Sequence, residues 1–450
     1  MDMWLFRTHY PPIIVFLPPL PKETTLDAFV AKCQATLAEA LAAVPPLAGR
    51  FVVNAGGHLA VDCNDEGIHL RVAEANCPLP QRLASGLTIN GTEQLHFEVP
   101  GTGGNVPLLL MQITRFQDDR LCISMGFHHT FTYGYGAFAF CKYWMHLMRG
   151  EKPPYKLEYA RLKCVEASGC PVIALEHPTM GNTPFMPFSK TVKDLLGFAA
   201  FCAVFPVIPR SLLYTATVYH RFHFPTAQLK ELKAEVNQGL PAGDFVSTND
   251  AVCALLWRGI TNARELAKQT PAQVTHCVFA MNGRNIVPDL PEGYVGNVHI
   301  PNRTEGVTAA ELCEQPVSWS AKLIRNVVKR ASPQFVQDMV DWVSAQPNID
   351  SVGPRTDHHL GPDVVISSVS GLPLSELDFG FGRPLSLGVA KYSVPFDGFV
   401  LVTSYGAGFC ADVSVLGPTM EALLADDDIS RFTWAPVGRA EYCEGDEWLD

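Results

Sequence analysis

The sequence predicts an α/β protein of two domains, and three observations support this prediction. The chain has 450 residues, which is too long for one ordinary hydrophobic core. Segments with the period of strands alternate with segments with the period of helices in both halves, which favours layered α/β domains. Residues 150–215 are rich in proline and poor in periodicity, which indicates a crossover connection. We therefore expect domains at residues 1–175 and 219–450, joined by a connection at 176–218.

The elements of the first half are predicted from hydrophobic periodicity and from turn residues. In order, they are a strand within residues 10–20, a helix over 25–41, short strands over 50–73, a hairpin of 107–114 with 121–127, and a helix over 136–149. Thr24 or Thr25 can cap the first helix, because either hydroxyl can accept a hydrogen bond from the first helical turn. The uninterrupted apolar run before His128 is typical of a buried strand.

The second half is read in the same way. In order, its predicted elements are a strand over 221–224, helices over 226–236 and from Ser247 or Thr248 to 267, a core strand over 274–281, helices over 309–330 and 333–345, and a last helix over 419–425. Thr226 is the expected cap of the first of these helices. Residues 426–428, three consecutive aspartates, are interpreted as a solvated loop.

Composition narrows the class of protein. The net charge of −11 argues against a nucleic-acid partner, because phosphates need a basic face. Thirteen cysteines are scattered without a Cys-x-x-Cys pair, a pattern typical of reduced thiols in a cytoplasmic protein. The N-terminus lacks the pattern of a signal peptide. The apolar run at 195–205 is too short for a membrane span, which needs about 20 residues.

Two adjacent histidines, His128 and His129, are the most informative residues of the sequence. They come at the end of the buried strand, directly before a segment of small residues at 134–140. This place suits the presentation of an imidazole into a cleft, and imidazole titrates near neutrality, so it can accept a proton at pH 7. The alternative is a pair of core or hydrogen-bonded histidines without chemistry.

Six motifs resemble those of the plant BAHD acyl-CoA-dependent acyltransferases, and they occur in the family's order. They are Pro-Leu-Ala-Gly-Arg at 46–50, Asp-Cys-Asn-Asp-Glu-Gly at 62–67, His129-x-x-x-Tyr133-Gly134, Ser247-Thr248-Asn-Asp-Ala running to Trp257-Arg258, Leu-Pro-Glu-Gly-Tyr-Val-Gly-Asn at 290–297, and Asp378-Phe-Gly380-Phe381-Gly382. They cover nearly the whole chain. The sequence is therefore identified as a divergent member of this family.

The resemblance implies a fold, a reaction and a set of site residues. The fold would consist of two chloramphenicol-acetyltransferase-like domains with a tunnel between them. His129 would deprotonate a small-molecule acceptor, which attacks the thioester of acyl-CoA directly. Acyl-CoA would be a co-substrate, no cofactor would be held tightly, and the protein would be a cytoplasmic monomer. The segments that would line the tunnel or contact CoA contain the hydroxyl residues Ser247, Thr248, Ser367 and Ser368.

The departures from the family pattern are as informative as the matches. Tyr133 stands where the family has the aspartate that pairs with an arginine, which by position is Arg284 here. A phenol is neutral at pH 7 and cannot replace that carboxylate, so Arg284 needs another acceptor or solvent. Phe381 replaces a tryptophan and offers no hydrogen-bond donor, and Val369 replaces a second tryptophan.

The loop at 378–382 is expected to be structural, as the resemblance implies. Gly380 and Gly382 would permit a tight turn, and Asp378 would pair with a nearby arginine. Gly134 would likewise serve the bend after the motif histidine.

Two interpretations of Tyr133 remain open. In the first, Tyr133 fills space, hydrogen-bonds Arg284, and acyl transfer continues. In the second, the pocket is rebuilt, and Tyr133 or Tyr135 acts with His129 in a CoA-independent lyase, elimination or cyclisation reaction. A non-catalytic partner protein is a third possibility. We expect no metal site, since the adjacent histidines His358 and His359 chelate one ion poorly.

Overall fold

The structure is a computed structural model. It describes residues 10–55, 59–84, 91–97, 106–160, 167–169, 178–181, 217–346, 352–357, 360–389, 397–405 and 408–433. Most of the predicted connection at 176–218, including the apolar run at 195–205, lies outside the described residues. The same holds for His358 and His359.

The described part of the chain contains both strands and α-helices in each half. The strands are β1 Pro12–Leu17, β2 Arg50–Val53, β3 Leu59–Asp62, β4 His69–Glu74, β5 Leu109–Arg115, β6 Leu121–Phe127, β7 Met180–Gly181, β8 Thr217–Phe224, β9 Val274–Thr275, β10 Cys277–Asn282, β11 His299–Arg303, β12 Val307–Thr308, β13 Gly353–Pro354, β14 Val364–Ser368, β15 Ser386–Val389, β16 Phe399–Tyr405 and β17 Gly408–Leu416. The α-helices are α1 Leu26–Ala42, α2 Gln81–Ala84, α3 Tyr135–Met148, α4 Thr226–Gln238, α5 Thr248–Ala263, α6 Leu266–Gln269, α7 Ala309–Glu314, α8 Val317–Arg330, α9 Pro333–Ser344, α10 Gly417–Leu424 and α11 Asp427–Phe432.

The first half is built on a five-stranded sheet in the order β15-β1-β6-β5-β4. Strand β6 lies at its centre, and all seven of its residues are buried, as the apolar run predicts. Helices α1 and α3 pack together over the sheet, where Phe29, Leu37 and Trp144 join the core. The predicted hairpin of the first half is confirmed, because β5 pairs with β6 in antiparallel register.

One strand of the first sheet comes from the second half of the sequence. β15 pairs with β1, with Ile14 opposite Gly388. Leu372, Leu377 and Phe379, which precede β15, are buried in the first core. This segment therefore joins the first sheet although it lies beyond residue 219, and strand pairing between distant segments leaves no mark on local periodicity. The domain boundaries stay a prediction.

The second half is built on a six-stranded sheet in the order β11-β10-β14-β16-β17-β8. The pairs β10–β14 and β14–β16 are parallel, and the other pairs are antiparallel. One face packs against α5 through residues such as Ile366, Val402 and Trp257, which are fully buried. Because side chains alternate along a strand, Ser367 lies on the opposite face.

Several predicted helix details are corrected by the structure. Thr25 does cap α1, since its hydroxyl accepts a hydrogen bond from Ala28 N at 3.2 Å. Thr226 does not act as a cap: it is the first helical residue of α4, after Pro225. The single helix predicted over 309–330 is two helices, because Pro316 lacks the N–H that a continuous helix needs there.

The aspartates at 426–428 begin a helix instead of forming a loop. The Asp426 carboxylate accepts a hydrogen bond from Ile429 N at 3.0 Å and caps α11. Asp427 and Asp428 occupy the first turn, where negative charge interacts favourably with the helix dipole. A run of acidic residues is thus a helix-start signal here, and the solvated-loop interpretation is wrong.

Three further properties concern only the part of the chain that the structure describes. Its cysteines carry free thiols. Within it, no helix combines the length and the apolar character needed to cross a membrane. Among these residues, no group of three or more histidine, cysteine, aspartate or glutamate side chains is arranged to hold a metal ion.

Candidate active site

His129 lies in a turn at the end of β6, and residues of the second half hold that turn. The side chain is 4% exposed. Asn297 donates from its Nδ2 to the carbonyl oxygen of His129 at 2.8 Å and to that of Thr130 at 3.3 Å. The backbone that carries the candidate base is therefore fixed across the boundary between the two sheets.

The neighbouring His128 has a different environment. Its ring packs edge-on against Tyr10 and Phe51, with centroid distances of 4.8 and 4.7 Å. Its Nδ1 accepts a hydrogen bond from Thr130 N at 3.3 Å, which helps to close the turn. The alternative of a hydrogen-bonded core histidine thus describes His128.

The backbone after His129 makes a close approach to the second half. The Thr132 hydroxyl donates to the carbonyl oxygen of Val295 at 2.5 Å. A Cβ on Gly136 would lie 2.2 Å from the same oxygen, so only glycine fits at this point. Gly134 directly precedes α3 with φ of 41°, a left-handed conformation that favours glycine. Glycines therefore allow the turn and its contact with the other half.

Tyr133 packs against the candidate base. The rings of Tyr133 and His129 are 4.4 Å apart at an angle of 34°. The Tyr133 hydroxyl shares a 2.5 Å hydrogen bond with the Ser367 hydroxyl on β14. Burial raises the pKa of the Tyr133 phenol, and the bond to Ser367 lowers it by less. The phenol is therefore neutral near pH 7, and its partner is Ser367; the interpretation in which it hydrogen-bonds Arg284 is wrong.

Arg284 is held by other groups. Its Nη2 donates to the carbonyl oxygen of Gly296 at 3.1 Å, and its guanidinium lies 5.8 Å from the centre of the Tyr294 ring. Burial lowers the pKa of Arg284, and the phenols of Tyr294 and Tyr135 oppose that shift. A carbonyl and aromatic rings thus surround the guanidinium, and Tyr133 faces away toward β14.

His299 completes the cluster and was not singled out from the sequence. Its ring centre is 6.1 Å from that of His129 and 5.8 Å from that of Tyr133, and both contacts are close to perpendicular. It follows Asn297 by two positions, so in extended backbone both side chains point to the same side. The sequence signal for His299 was its position two residues after Asn297, the last residue of the 290–297 motif.

The two adjacent serines of β14 have different partners. Ser367 meets Tyr133, whereas the Ser368 hydroxyl donates to Asn249 Oδ1 at 2.6 Å and lies 3.0 Å from the Ser370 hydroxyl. Alternation along the strand separates them, since Ser368 faces the start of α5. Of this pair, the structure therefore brings Ser367 to Tyr133, whose ring packs against His129.

Ser247 and Thr248 begin α5. The Ser247 hydroxyl accepts from Asp250 N at 3.2 Å, and the Asp250 carboxylate accepts from Ser247 N at 2.7 Å, which forms a capping box. Thr248 is the first helical residue. These two residues are placed by the helix start, beside the Ser368–Asn249 contact.

The loop at 378–382 is a tight turn closed by Asp378. Its carboxylate accepts from Gly380 N at 2.8 Å and from Gly382 N at 3.1 Å. Both glycines have positive φ, 101° and 121°. The expected arginine is Arg149, but it donates to the carbonyl oxygen of Asp378 at 2.8 Å, because the carboxylate is engaged by the turn.

Phe381 and Phe379 anchor this loop far from His129. Phe381 packs edge-on against Phe29 at 5.5 Å, and Phe379 packs against Trp144 at 5.4 Å. Trp144 is nine residues after the first residue of α3, which is about 14 Å along the helix axis, whereas His129 precedes that first residue. The loop thus braces the first core and has no contact with the base.

Comparisons with known proteins agree with this architecture. A family model described as the Transferase family matches residues 1–408. A hydroxycinnamoyl-CoA:5-hydroxyanthranilate N-hydroxycinnamoyltransferase of Avena sativa is 27% identical over 372 residues, which cover 81% of this chain and 79% of that protein. A hydroxycinnamoyl-CoA:piscidic acid hydroxycinnamoyltransferase of Actaea racemosa is 24% identical over 446 residues, covering 96% and 93%.

Solved structures support the fold. F. graminearum TRI101, complexed with coenzyme A and deoxynivalenol, has a TM-score of 0.79 at 17% identity, covering 96% of this chain and 97% of that one. Vinorine synthase has a TM-score of 0.67 at 19% identity, covering 95% and 93%. The predicted two-domain α/β fold is confirmed. Since the family model matches most of the sequence, this chain belongs to the Transferase family, the plant BAHD acyltransferases.

Proposed function

We propose that the protein transfers an acyl group directly from acyl-CoA to the hydroxyl or amine of a small-molecule acceptor, with His129 as the general base. The observation that carries this proposal is the placement of His129. Its imidazole follows a fully buried strand, and Asn297 of the other half fixes its backbone. A base held in this way needs little reorganisation when substrate binds.

The reaction needs one proton transfer in each direction. His129 takes the proton from the acceptor oxygen or nitrogen, whose electron pair attacks the thioester carbon. The carbonyl electrons move onto oxygen and then return, which expels the CoA thiolate. The thiolate takes the proton from the His129 imidazolium. The products are acylated acceptor and free CoA, and the enzyme is restored without an acyl-enzyme.

The relatives support hydroxycinnamoyl-CoA as the first donor to try. Both plant relatives are named as transferases that use this thioester. The TRI101 structure contains coenzyme A, which supports acyl-CoA as the co-substrate. We propose that no other cofactor is held tightly. The acceptor would enter a tunnel between the halves. Free thiols among the described cysteines fit a reducing compartment, so we propose that the enzyme is cytoplasmic. We also propose that it is a monomer.

Tyr133 has a supporting role in this proposal. Its phenol joins the His129 turn to β14 through Ser367, where an ion pair would otherwise tie the loop. Its ring also limits the positions of the imidazole, since the two rings are 4.4 Å apart. Gly134 and Arg284 support the segments around His129, whereas Asp378, Gly380, Phe381 and Gly382 support the core of the first half. Ser247, Thr248 and Ser368 are proposed to face CoA.

A second candidate is a CoA-independent lyase, elimination or cyclisation reaction. It is favoured by the neutral phenol of Tyr133 beside His129, because a protonated phenol can act as an acid.

Calorimetry of the purified protein with CoA and with a hydroxycinnamoyl-CoA separates these functions. Micromolar binding, followed by acceptor-dependent release of CoA, is the expected result. Absence of binding to either ligand would contradict acyl transfer and favour the CoA-independent reaction or a non-catalytic partner.

A further inference from the structure

We propose that His299 is a second catalytic histidine, which donates a hydrogen bond to the thioester carbonyl oxygen as negative charge develops there. This proposal rests on the acyl transfer proposed above and adds the oxyanion donor that the reaction needs. It assigns a role to a side chain outside the recognised motifs, which lies within reach of the candidate base.

The separation of the two imidazoles fits one reacting group between them. Two imidazole rings that share a direct hydrogen bond have centres about 5 Å apart, from their size and a bond of about 2.9 Å. The centres of His129 and His299 are 6.1 Å apart. In the tetrahedral intermediate, the attacking atom and the oxyanion are bonded to one carbon. A base and a donor that flank this carbon must therefore have ring centres farther apart than two directly hydrogen-bonded imidazoles, as those of His129 and His299 are.

The position of His299 is fixed relative to His129 by the backbone. Asn297 donates to the His129 carbonyl oxygen at 2.8 Å, and Val295 accepts from Thr132 at 2.5 Å. Both contacts lie within four residues of His299, in the segment that leads into β11. β11 then continues from His299 into the six-stranded sheet, with Asn282 opposite it. Such preorganisation is what makes an oxyanion donor effective.

Other side chains near the base are less suited to this role. Tyr133 and Ser367 share one hydrogen bond, so one of the two hydroxyl protons is committed to it. Phe381 packs on Phe29, far from the base, and Val369 is apolar. Arg284 is directed to Gly296. The remaining proton of the Tyr133–Ser367 pair is the main rival to the His299 N–H.

In the proposed step, His299 donates a hydrogen bond and keeps its proton. As the acceptor forms its bond to the thioester carbon, the carbonyl electrons move to oxygen, and the His299 N–H stabilises that charge. When the electrons return, the thiolate leaves with the proton held by His129. Removal of one such donor typically lowers turnover about 10²–10³-fold.

The test compares His299→Leu, His299→Gln and Tyr133→Phe with the wild-type protein in full-length form. Release of CoA thiol from p-coumaroyl-CoA measures turnover, with water or an accepted amine as acceptor. We expect His299→Leu to lower kcat about 10²–10³-fold with KM for the thioester little changed. His299→Gln should retain part of the activity, because its amide is also a donor.

A vibrational measurement separates a catalytic contact from a structural one. The carbonyl stretch of bound p-coumaroyl-CoA, followed by Raman difference spectroscopy, should lie at lower frequency in the wild type than in His299→Leu. Equal kcat and equal frequency in the two proteins would overturn the proposal. A large loss in Tyr133→Phe without one in His299→Leu would assign the donor to the Tyr133–Ser367 pair instead.

Failure of the proposed function gives a different pattern. In that case the wild-type protein releases no CoA with any thioester, and both proposals fall together. If the wild type releases CoA and His299→Leu matches it, only the role of His299 is refuted.

Discussion

Replacement of Asn297 by alanine should loosen the turn that carries His129 and reduce turnover. The amide of Asn297 donates to two carbonyl oxygens of that turn, at 2.8 and 3.3 Å. Leaving buried acceptors without their donor costs about 1–3 kcal/mol. Because Asn297 is only partly buried and water can replace the longer bond, we take about 1–2 kcal/mol.

This free energy sets the expected kinetic effect. If these about 1–2 kcal/mol are added to the activation free energy, because the His129 turn must first return to its wild-type geometry, kcat falls about 5–30-fold, since 1.36 kcal/mol corresponds to a factor of ten. KM for the thioester should change little, because the hydrogen bonds of Asn297 within the described residues go to backbone carbonyls. Asn297→Asp should be worse, since it places a carboxylate oxygen against carbonyl oxygens.

The assay is steady-state release of CoA thiol from p-coumaroyl-CoA at saturating acceptor. Asn285→Ala is a matched control, because this exposed asparagine lies in the same half and outside the turn. The reasoning is refuted if Asn297→Ala has the kcat of the wild type. A rise in KM at constant kcat would also refute it, because it would indicate a binding role.

Two further predictions concern Tyr133 and Asp378. Tyr133→Phe loses the bond to Ser367 and should lower stability by about 0.5–1.5 kcal/mol with kcat within about tenfold of wild type; a complete loss of turnover in a folded protein would favour Tyr133 as a chemical group. Burial raises the pKa of this phenol, so the stability that the phenol contributes is fully present below its unfolded pKa of about 10 and is lost as pH rises further. Above pH 10, the unfolding temperature of the wild type should therefore fall more steeply than that of Tyr133→Phe. Asp378→Ala removes two hydrogen bonds from the 378–382 turn and should lower the unfolding temperature while kcat per folded molecule is kept, and a fall in kcat without thermal destabilisation would contradict a purely structural loop.

The local elements were predictable because their signals are local. The period of α1, the Thr25 cap and the apolar run of β6 each depend on a few neighbouring residues. The break between α7 and α8 is local as well, because Pro316 alone is a sufficient signal to end one helix and begin the next. The prediction for the aspartates before α11 was wrong because acidic residues serve both loops and helix starts.

The contacts that build the site were less predictable, because they join distant residues. The Tyr133–Ser367 bond spans 234 positions, and it depends on how the two sheets face each other. The same placement brings His299 to His129 and adds β15 to the first sheet. Motif matching found His129, Tyr133 and Ser367 separately, but it could not indicate that Tyr133 turns to Ser367 and away from Arg284.

The most direct test of the central claim is the turnover of His129→Gln compared with His146→Gln. His146 is another histidine of the first half, partly exposed on α3 and 2.8 Å from Glu151, so its replacement controls for loss of an imidazole. Both proteins should bind p-coumaroyl-CoA as the wild type does. Acyl transfer with His129 as base predicts that only His129→Gln loses CoA release, by at least about 10²-fold. Full CoA release by folded His129→Gln would contradict the account.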